Sequence, residues 1–314
     1  MADVKKIATR QGYGEALREL GAVHDNVIVF DADLAGSTQT AMFGKAYPGR
    51  HFNCGIAEGN MMAAAAGAAA MGMVAFASSF AMFAAGRAYE QVRNSIGYTG
   101  LNVKIGASHG GISVGEDGAT HQCLEDFALM RSIPGMVVMS PADAVEAKAM
   151  VRAAYEHQGP VYMRFGRSPV PVFHDEETFR FEIGRGDVMR EGSDIAIIAN
   201  GLLVAEAVEA GKLLADRGVS ARIINMATIK PLDEDLVLKA ARECGKIVTV
   251  EEHSVIGGLG EGVCALVSEH CPVPVKRIGV NDEFGHSGPA AALLEQFGLC
   301  TENIISVSMS LLGE

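Results

Sequence analysis

Residues 108–122, SHGGISVGEDGATHQ, form the segment of this 314-residue chain whose side chains best suit chemistry. His109, Asp117 and His121 supply hydrogen-bond donors and acceptors, and four glycines leave backbone N–H groups accessible. This combination favours recognition of a polyhydroxylated substrate. A nest of backbone N–H groups for an anion is one alternative. A metal site at Asp117 and His121 is disfavoured because a third close ligand is missing.

A second candidate is Glu58, which lies in GIAEGN at the start of a stretch dominated by alanine and glycine. Its simplest explanation is a favourable interaction with the dipole of a helix. However, residues 63–70 offer almost no polar surface, so we expect their helix to pack closely against a flat surface, such as that of another chain. A carboxylate at the edge of this contact is partly desolvated and could act as an acid or base.

Three further segments have two interpretations each. Phe80 and Phe83, in SSFAMF, either belong to the core or form an aromatic wall for a ring-shaped cofactor. Arg164 and Arg167, in RFGR, lie at the end of a predicted strand, where an arginine can bind a phosphate or face solvent. The GGLGEG segment at residues 257–262 lacks the GxGxxG spacing of a dinucleotide loop, which favours close helix packing instead.

Short β-branched segments alternate with amphipathic ones along the chain, which predicts parallel βαβ construction. The first half predicts strands at 27–31, 74–78, 103–108, 137–140 and 161–165, and helices at 10–23, 58–71, 83–96 and 143–157. The second half predicts strands at 194–200, 221–226, 246–251 and 275–278, and helices at 202–216, 233–243, 261–268 and 287–297. Ligands of open α/β sheets bind beyond the carboxyl ends of strands, and only the first half has candidate residues there.

The alternation is interrupted at residues 167–192, where two prolines and an acidic run precede three glycines. We therefore predict an α/β fold with two domains in series, at residues 1–175 and 193–314, joined by a linker at 176–192. Each domain is expected to contain a mostly parallel sheet flanked by helices.

The composition excludes several classes of function. A net charge of −12 argues against a protein that binds nucleic-acid phosphates. The six cysteines include no CxxC pair, so reduced thiols in the cytoplasm are expected rather than a disulfide framework. The N-terminus is charged and lacks the apolar core of a signal peptide. Residues 61–77, the longest run without a polar side chain, fall short of the ~20 residues of a membrane span, so we expect a soluble protein.

Together these segments resemble the C-terminal half of transketolase, a thiamine diphosphate enzyme, over essentially the whole chain. The most specific similarity is SHGGISVGEDGATHQ, which closely matches the substrate loop of the family. GIAEGN resembles the segment with the catalytic glutamate, and SSFAMFAAGRAYEQVR resembles the aromatic pyrimidine pocket. The resemblance implies a pyrimidine-binding domain followed by a transketolase C-terminal domain.

The resemblance also implies a role for individual residues. Glu58 would form a hydrogen bond with the pyrimidine ring of thiamine diphosphate. This bond would favour the imino form, which removes the C2 proton of the thiazolium. Phe83, with Phe80 beside it, would stack on the pyrimidine ring. The sugar substrate would be bound by Arg10, Ser37, His109, Asp117, His121 and Arg167. Of these, His109 and His121 are also expected to take part in catalysis. Arg10, Ser37 and Arg167 would bind the acceptor phosphate.

One departure from the family is as informative as the similarity. Transketolases of full length carry an N-terminal domain whose GDG…N motif binds Mg²⁺ and the diphosphate, and this sequence has no such motif. We therefore expect the chain to be inactive alone and to need a separate N-terminal subunit, which would ligate most of the Mg²⁺ (or Ca²⁺). Self-association through the pyrimidine domain would give a heterotetramer that acts on sugar phosphates and binds neither nucleic acid nor membrane.

Three other functions compete with a two-subunit transketolase that transfers a two-carbon ketol unit from a ketose to an aldose. One is the β subunit of a 2-oxo acid dehydrogenase E1, and another is part of a deoxyxylulose-phosphate synthase. The pairing of His109 and His121 with Asp117 favours a hydroxyaldehyde and a ketose over a 2-oxo acid. The third is a non-catalytic regulatory subunit, which the intact set of site residues disfavours.

Overall fold

The structure of the protein is a computed structural model that describes residues 5–313. The predicted domain limits at residues 1 and 314 lie outside the described residues. The strands are β1 (Lys6–Ala8), β2 (Val27–Asp31), β3 (His51–Asn53), β4 (Val74–Phe80), β5 (Val103–Ser108), β6 (Val137–Met139), β7 (Val161–Phe165), β8 (Pro169–Pro171), β9 (Asp187–Arg190), β10 (Ile195–Ala199), β11 (Ala221–Asn225), β12 (Thr228–Lys230), β13 (Ile247–Ser254) and β14 (Val275–Val280).

Helices cover most of the connections between these strands. They are α1 (Thr9–Val23), α2 (Ala35–Thr38), α3 (Ala41–Ala46), α4 (Glu58–Ala70), α5 (Tyr89–Gln91), α6 (Asp126–Arg131), α7 (Ala144–Glu156), α8 (Leu203–Asp216), α9 (Glu234–Cys244), α10 (Leu259–His270), α11 (Ala290–Gln296) and α12 (Thr301–Leu312). None of the helices within residues 5–313 is long and apolar enough to span a membrane.

The strands form two main sheets. The first has seven strands in the order β12-β6-β7-β5-β4-β2-β3, and the second has five in the order β14-β13-β10-β11-β9. All pairs are parallel except β12 with β6 and β9 with β11, while β1 and β8 form a separate antiparallel pair. Every residue of β4 and β5 is buried, as expected for central strands covered by helices on both faces. The predicted α/β fold with two mostly parallel sheets in series is thereby confirmed.

The two halves of the chain are connected more closely than the sequence predicted. Strand β12 lies after β11 in sequence but pairs with β6 of the first sheet. Strand β9 lies within the segment predicted as a linker and forms an edge of the second sheet. The sequence analysis missed both strands because three or four residues are too few to show an alternating pattern. It also missed α12, which packs against α8.

The segment after β4 also differs from the prediction. In place of one helix over residues 83–96, two π-helical segments, Met82–Arg87 and Val92–Gly97, flank the short α5. In the first of them the N–H of Ala88 donates to the carbonyl of Phe83, five residues earlier, at 3.2 Å. Such wide turns are rare and occur frequently at functional sites. Hydrophobic periodicity cannot detect them because it assumes a constant number of residues per turn.

Candidate functional site at the carboxyl edge of the first sheet

The predicted site residues follow the carboxyl ends of strands in the first sheet. Phe80 is the last residue of β4, His109 follows β5, and Arg167 comes two residues after β7. The strands run parallel and β5 pairs with both β4 and β7, so their ends meet at one edge of the sheet. Ligands of open α/β sheets bind at this edge.

Glu58 is the first residue of α4 and is only 1% exposed. Its two carboxylate oxygens accept hydrogen bonds from Nη1 of Arg87 at 3.0 and 2.9 Å. Arg87 itself is half-exposed, and the centre of its guanidinium lies 4.4 Å from the centroid of the Phe83 ring. The carboxylate is therefore buried, but its charge partner reaches it from the solvent side.

Aromatic rings line the space next to this ion pair. Phe80 stacks on Phe83 with ring centroids 5.9 Å apart, and on its other neighbour, His109, at 4.0 Å. His121 meets the edge of Phe83 at 5.2 Å. Phe83 and Arg87 also line an open cleft of about 660 Å³ between the two halves of the chain. The arrangement can hold a flat aromatic ring between an aromatic wall and a carboxylate.

His109 has an unusual backbone conformation and a strongly shifted titration. Its φ is +55°, which is uncommon for a residue other than glycine and is often associated with functional sites. Its Nδ1 lies 2.8 Å from Oγ of Ser108. Burial, and then the positive charges of Arg10 and Arg167, lower the pKa of His109 to about 3. The imidazole is therefore neutral near pH 7 and has both a donor and an acceptor.

Two arginines provide positive charge beside His109. Arg10 donates from Nη1 to the backbone carbonyl of Ser37 at 2.8 Å, so Ser37 contacts this arginine through its main chain. Arg167 donates to the carbonyl of Val114 and to a carboxylate oxygen of the exposed Glu116. Burial and the charge of Arg167 lower the pKa of Arg10. Both guanidinium groups are only partly neutralised, which favours an anion between them.

The remaining predicted residues lie on the loop at residues 108–122. His121 is half-buried, and its Nδ1 lies 2.9 Å from Oγ1 of Thr120. Asp117 is exposed, and among residues 5–313 its side chain has no hydrogen-bond partner. The structure thus brings Phe80, Phe83, His109 and His121 into contact, whereas Asp117 stays on the outer side of the loop.

The second half of the chain holds this loop in place, a role that the sequence analysis did not predict. Oε1 of the buried Glu252 accepts a hydrogen bond from the N–H of Ser113 at 2.5 Å. The side-chain amide of Gln122 donates to the carbonyls of Ile112 and Gly115 and to that of His286. The available signal was the EEH run at residues 251–253, in which charged residues end a predicted buried strand.

Arg164 lies within β7 and is not available as a phosphate ligand, although its position near the end of a predicted strand allowed that interpretation. It is 5% exposed and bonds the backbone carbonyl of Glu252 at 2.8 Å and a carboxylate oxygen of the fully buried Asp126 at 3.4 Å. Burial alone would lower the pKa of Arg164, but the negative charges of Asp126 and Glu252 raise it above its usual value. Arg164 therefore joins the two halves of the chain, and Arg167 is the arginine of RFGR that faces the site.

No group of three or more His, Cys, Asp and Glu side chains within residues 5–313 is placed to hold a metal ion. The donor set of the cleft suits the pyrimidine of an organic cofactor, because a buried carboxylate stands beside an aromatic wall. A diphosphate with a divalent cation would need additional ligands from outside the part of the chain described.

Comparison with known protein families identifies both halves of the chain. The model for "Transketolase, pyrimidine binding domain" matches residues 5–172, and the model for "Transketolase, C-terminal domain" matches residues 184–304. Together they span nearly all of the chain, and the first alone spans more than half of it.

Individual relatives agree with these matches. A Methanocaldococcus jannaschii protein provisionally named a transketolase C-terminal section is 51% identical over 94% of this chain and 93% of its own length. The 6-deoxy-6-sulfo-D-fructose transketolase subunit SqwH of Clostridium sp. strain MSTE9 is 42% identical over 94% of this chain and 92% of its length. A solved structure titled as the inactive β4 tetramer of a split-gene transketolase superposes with a TM-score of 0.91 at 50% identity, covering 98% of this chain and 99% of that one. The chain belongs to the transketolase family, as a transketolase-type subunit made of the pyrimidine-binding and C-terminal domains.

Proposed function

We propose that this chain is the C-terminal subunit of a two-subunit transketolase that transfers a two-carbon ketol unit from a ketose phosphate to an aldose phosphate. The observation that supports this proposal best is the buried carboxylate of Glu58, whose partner Arg87 lies over Phe83 at the cleft. Phe83 in turn stacks on Phe80, and Phe80 stacks on His109. Family membership implies dependence on thiamine diphosphate. When bound, that cofactor supplies a carbanion that can carry the two-carbon unit.

Glu58 would hold a proton at the pyrimidine ring of the cofactor. A carboxylate that is 1% exposed forms stronger hydrogen bonds than one in water, because little solvent competes with the ring nitrogen. Phe83 would stack on one face of the ring, and Phe80 would support Phe83 from behind. We assign the diphosphate and Mg²⁺ mainly to a separate N-terminal subunit, which is expected to carry the GDG…N motif absent here.

His109 and His121 would contact the sugar at the reacting end. A neutral imidazole can donate to a carbonyl or hydroxyl oxygen and can accept a proton, and the lowered pKa of His109 keeps it neutral at physiological pH. His121 meets the edge of Phe83, which brings it close to the ring that the cofactor would contact. We therefore assign to both groups the movement of protons on the substrate oxygens.

The other end of the substrate would be bound by charge and hydrogen bonds. Arg10 and Arg167 are the cations beside His109, so we assign the acceptor phosphate to them together with Ser37. Asp117, which is exposed on the loop, would accept a hydrogen bond from a sugar hydroxyl. Two relatives are named for different sugars, sulfofructose and apulose 4-phosphate, so the donor and acceptor of this chain must be found by assay.

Self-association would use the exposed face of α4. Ala63, Gly67 and Ala70 are exposed on this face, while Met62 and Ala66 on the opposite face are buried. A methyl group added at Gly67 would meet nothing within 4 Å, so packing within the chain does not explain this glycine. Glycine costs a helix ~1 kcal/mol relative to alanine, and close approach of a second chain is a reason to retain it. A heterotetramer with two copies of each subunit would follow.

The decisive test is reconstitution. This chain and the product of a neighbouring gene that carries GDG…N are purified separately and mixed with thiamine diphosphate, Mg²⁺, xylulose 5-phosphate and ribose 5-phosphate. We expect ketol transfer only in the mixture. Transfer by this chain alone would refute the two-subunit assignment, and turnover of pyruvate with lipoamide in place of the sugars would favour a 2-oxo acid dehydrogenase.

A further inference from the structure

Arg87 contacts the proposed cofactor pocket directly, and the proposed function leaves it without a role. Its Nη1 bonds both carboxylate oxygens of Glu58, and its guanidinium lies over the ring of Phe83. These are the two contacts, a hydrogen bond to the carboxylate and a stack on the aromatic wall, that the proposed function assigns to the pyrimidine. The guanidinium is itself planar, cationic and rich in N–H donors.

We propose that Arg87 is an internal substitute for the cofactor ring: it occupies the pyrimidine pocket of the free subunit and must leave when thiamine diphosphate binds. This inference rests on the proposed function, because it assumes that the pocket accepts the pyrimidine. Arg87 thereby sets the affinity of the subunit for its cofactor.

The burial of Glu58 gives a physical reason for the substitution. A charged carboxylate that is 1% exposed is costly unless a partner compensates for its lost hydration. In a chain without cofactor, Arg87 provides that compensation with two hydrogen bonds. The free subunit can therefore fold with Glu58 already in place at the start of α4.

The exposure of Arg87 shows how its contact with Glu58 can be exchanged for one with a ligand. About half of its side chain, 51%, is exposed, whereas Arg164, which holds the two halves of the chain together, is 5% exposed. Arg87 regains hydration when it leaves, and the ligand takes over the hydrogen bond to the buried Glu58, so the exchange leaves no buried charge without a partner. Arg87 also ends the π-helical segment Met82–Arg87, a rare type of turn that occurs frequently at functional sites.

The test measures binding rather than turnover. The isolated full-length chain is titrated with thiamine diphosphate and with its pyrimidine part, 4-amino-5-hydroxymethyl-2-methylpyrimidine, by calorimetry. R87M keeps the length of the side chain but removes the charge and the N–H donors, R87K keeps the charge without the planar group, and R93M changes a nearby exposed arginine. We expect R87M to bind the pyrimidine about three- to tenfold more tightly than wild type, R87K to lie between them, and R93M to match wild type.

A second measurement does not depend on how well R87M folds. Phenylglyoxal labels accessible arginines, and peptide mass spectrometry reports the labelling of Arg87 in the wild-type chain. We expect the pyrimidine to increase this labelling at least about twofold, and E58Q to show the increase without ligand, because each breaks the contact between Arg87 and Glu58.

The outcomes separate this inference from the function on which it rests. If the pyrimidine binds to wild type and E58Q weakens that binding, but R87M binds no more tightly and the labelling of Arg87 stays constant or falls, the inference is wrong and the proposed function stands. If neither wild type nor any variant binds the pyrimidine or thiamine diphosphate, even with the N-terminal subunit present, the proposed function fails and the inference fails with it.

Discussion

Two helices of this protein begin in similar sequence but have opposite surroundings. α4 begins within GIAEGN and α10 within GGLGEG, and each follows glycine-rich backbone with a glutamate in its first turn. At α10 the buried Glu251 accepts the N–H groups of Leu259 and Gly260 at 2.7 and 2.8 Å. At α4 the carboxylate of Glu58 points to a half-exposed arginine beside an open cleft.

The glycines of the two helices differ in the same way. A Cβ at Gly258 would lie 2.0 Å from Oε2 of Glu251, and one at Gly260 would lie 2.6 Å from Oγ1 of Thr249. At Gly67, within α4, a Cβ would meet nothing within 4 Å. The space beside Gly55 is also open, but its φ of +70° already favours glycine there. The α10 region is therefore complete within the chain, whereas the α4 region keeps features that packing within the chain does not require. We infer that cofactor and partner chains supply what the α4 region lacks.

The contrast between the starts of α4 and α10 is tested most directly by replacing Glu58 and Glu251 in turn. We expect E58A in the reconstituted enzyme to lose ~10²-fold or more in kcat, because an acid–base group is removed. The free energy of unfolding should change by less than about 1 kcal/mol, since the ion partner of Glu58 is half-exposed. Steady-state kinetics and urea unfolding measure the two effects. Unchanged turnover would refute the catalytic assignment and favour a regulatory subunit.

Glu251 should show the opposite behaviour. E251A leaves two buried N–H groups of α10 without an acceptor, which should lower the free energy of unfolding by about 2–4 kcal/mol. E251Q, which keeps the volume and one acceptor oxygen, should lose less. Urea unfolding of the isolated chain measures both. A loss below about 1 kcal/mol in E251A would mean that the start of α10 does not depend on this carboxylate, and the contrast with α4 would disappear.

Substituting one glycine in each helix tests the same contrast, with smaller expected changes in the free energy of unfolding. G67A should stabilise the isolated chain by about 0.5–1 kcal/mol, because alanine favours the helix and has room. G260A should destabilise it by about 1–3 kcal/mol, because the new methyl group collides with Thr249 and Arg277. Thermal unfolding gives the signs, and analytical ultracentrifugation shows whether G67A weakens self-association. A G67A chain that associates as tightly as wild type would exclude this face of α4 from the interface.

Much of the fold was predictable because it depends on patterns that are local in sequence. The strands at residues 27–31, 103–108 and 161–165 were predicted with the bounds that the structure shows, since each is a short, mostly apolar segment with a β-branched start. Strands β9 and β12 were not predictable, because three or four residues pair only when distant parts of the chain meet.

In the candidate site, too, some residues could be chosen from the sequence and others could not. Glu58, Phe83, His109 and His121 could be chosen from residue types and motif similarity. The support of the loop by Glu252 and Gln122, and the pairing of Glu58 with Arg87, depend on contacts between residues 29 to 164 positions apart, which no local pattern encodes. Candidate site residues could thus be chosen from the sequence, whereas the groups that hold those residues could not.

The smallest expected effect is on the pKa of His109, which has the positive charges of Arg10 and Arg167 nearby. Burial lowers the pKa of His109 first, and the two arginines lower it further, to about 3. R10M and R167M should therefore each raise this pKa, but leave it below the ordinary 6.5 because burial remains. Inorganic phosphate bound between the arginines should raise it in wild type for the same reason. Carbon-13 NMR of labelled histidine measures the titration.

The sign of the effect on stability follows from the same shift. Because the pKa of His109 in the folded chain lies below 6.5, protons bind the unfolded chain more tightly, and the contribution of His109 to stability is present above pH 6.5 and is lost as the pH falls from 6.5 towards 3. A neutral His109 also means that an acid limb of activity near pH 6 would come from another group. If His109 titrates near 6.5 in the wild-type chain, its surroundings are open to water, and burial is not what keeps it neutral in the proposed mechanism.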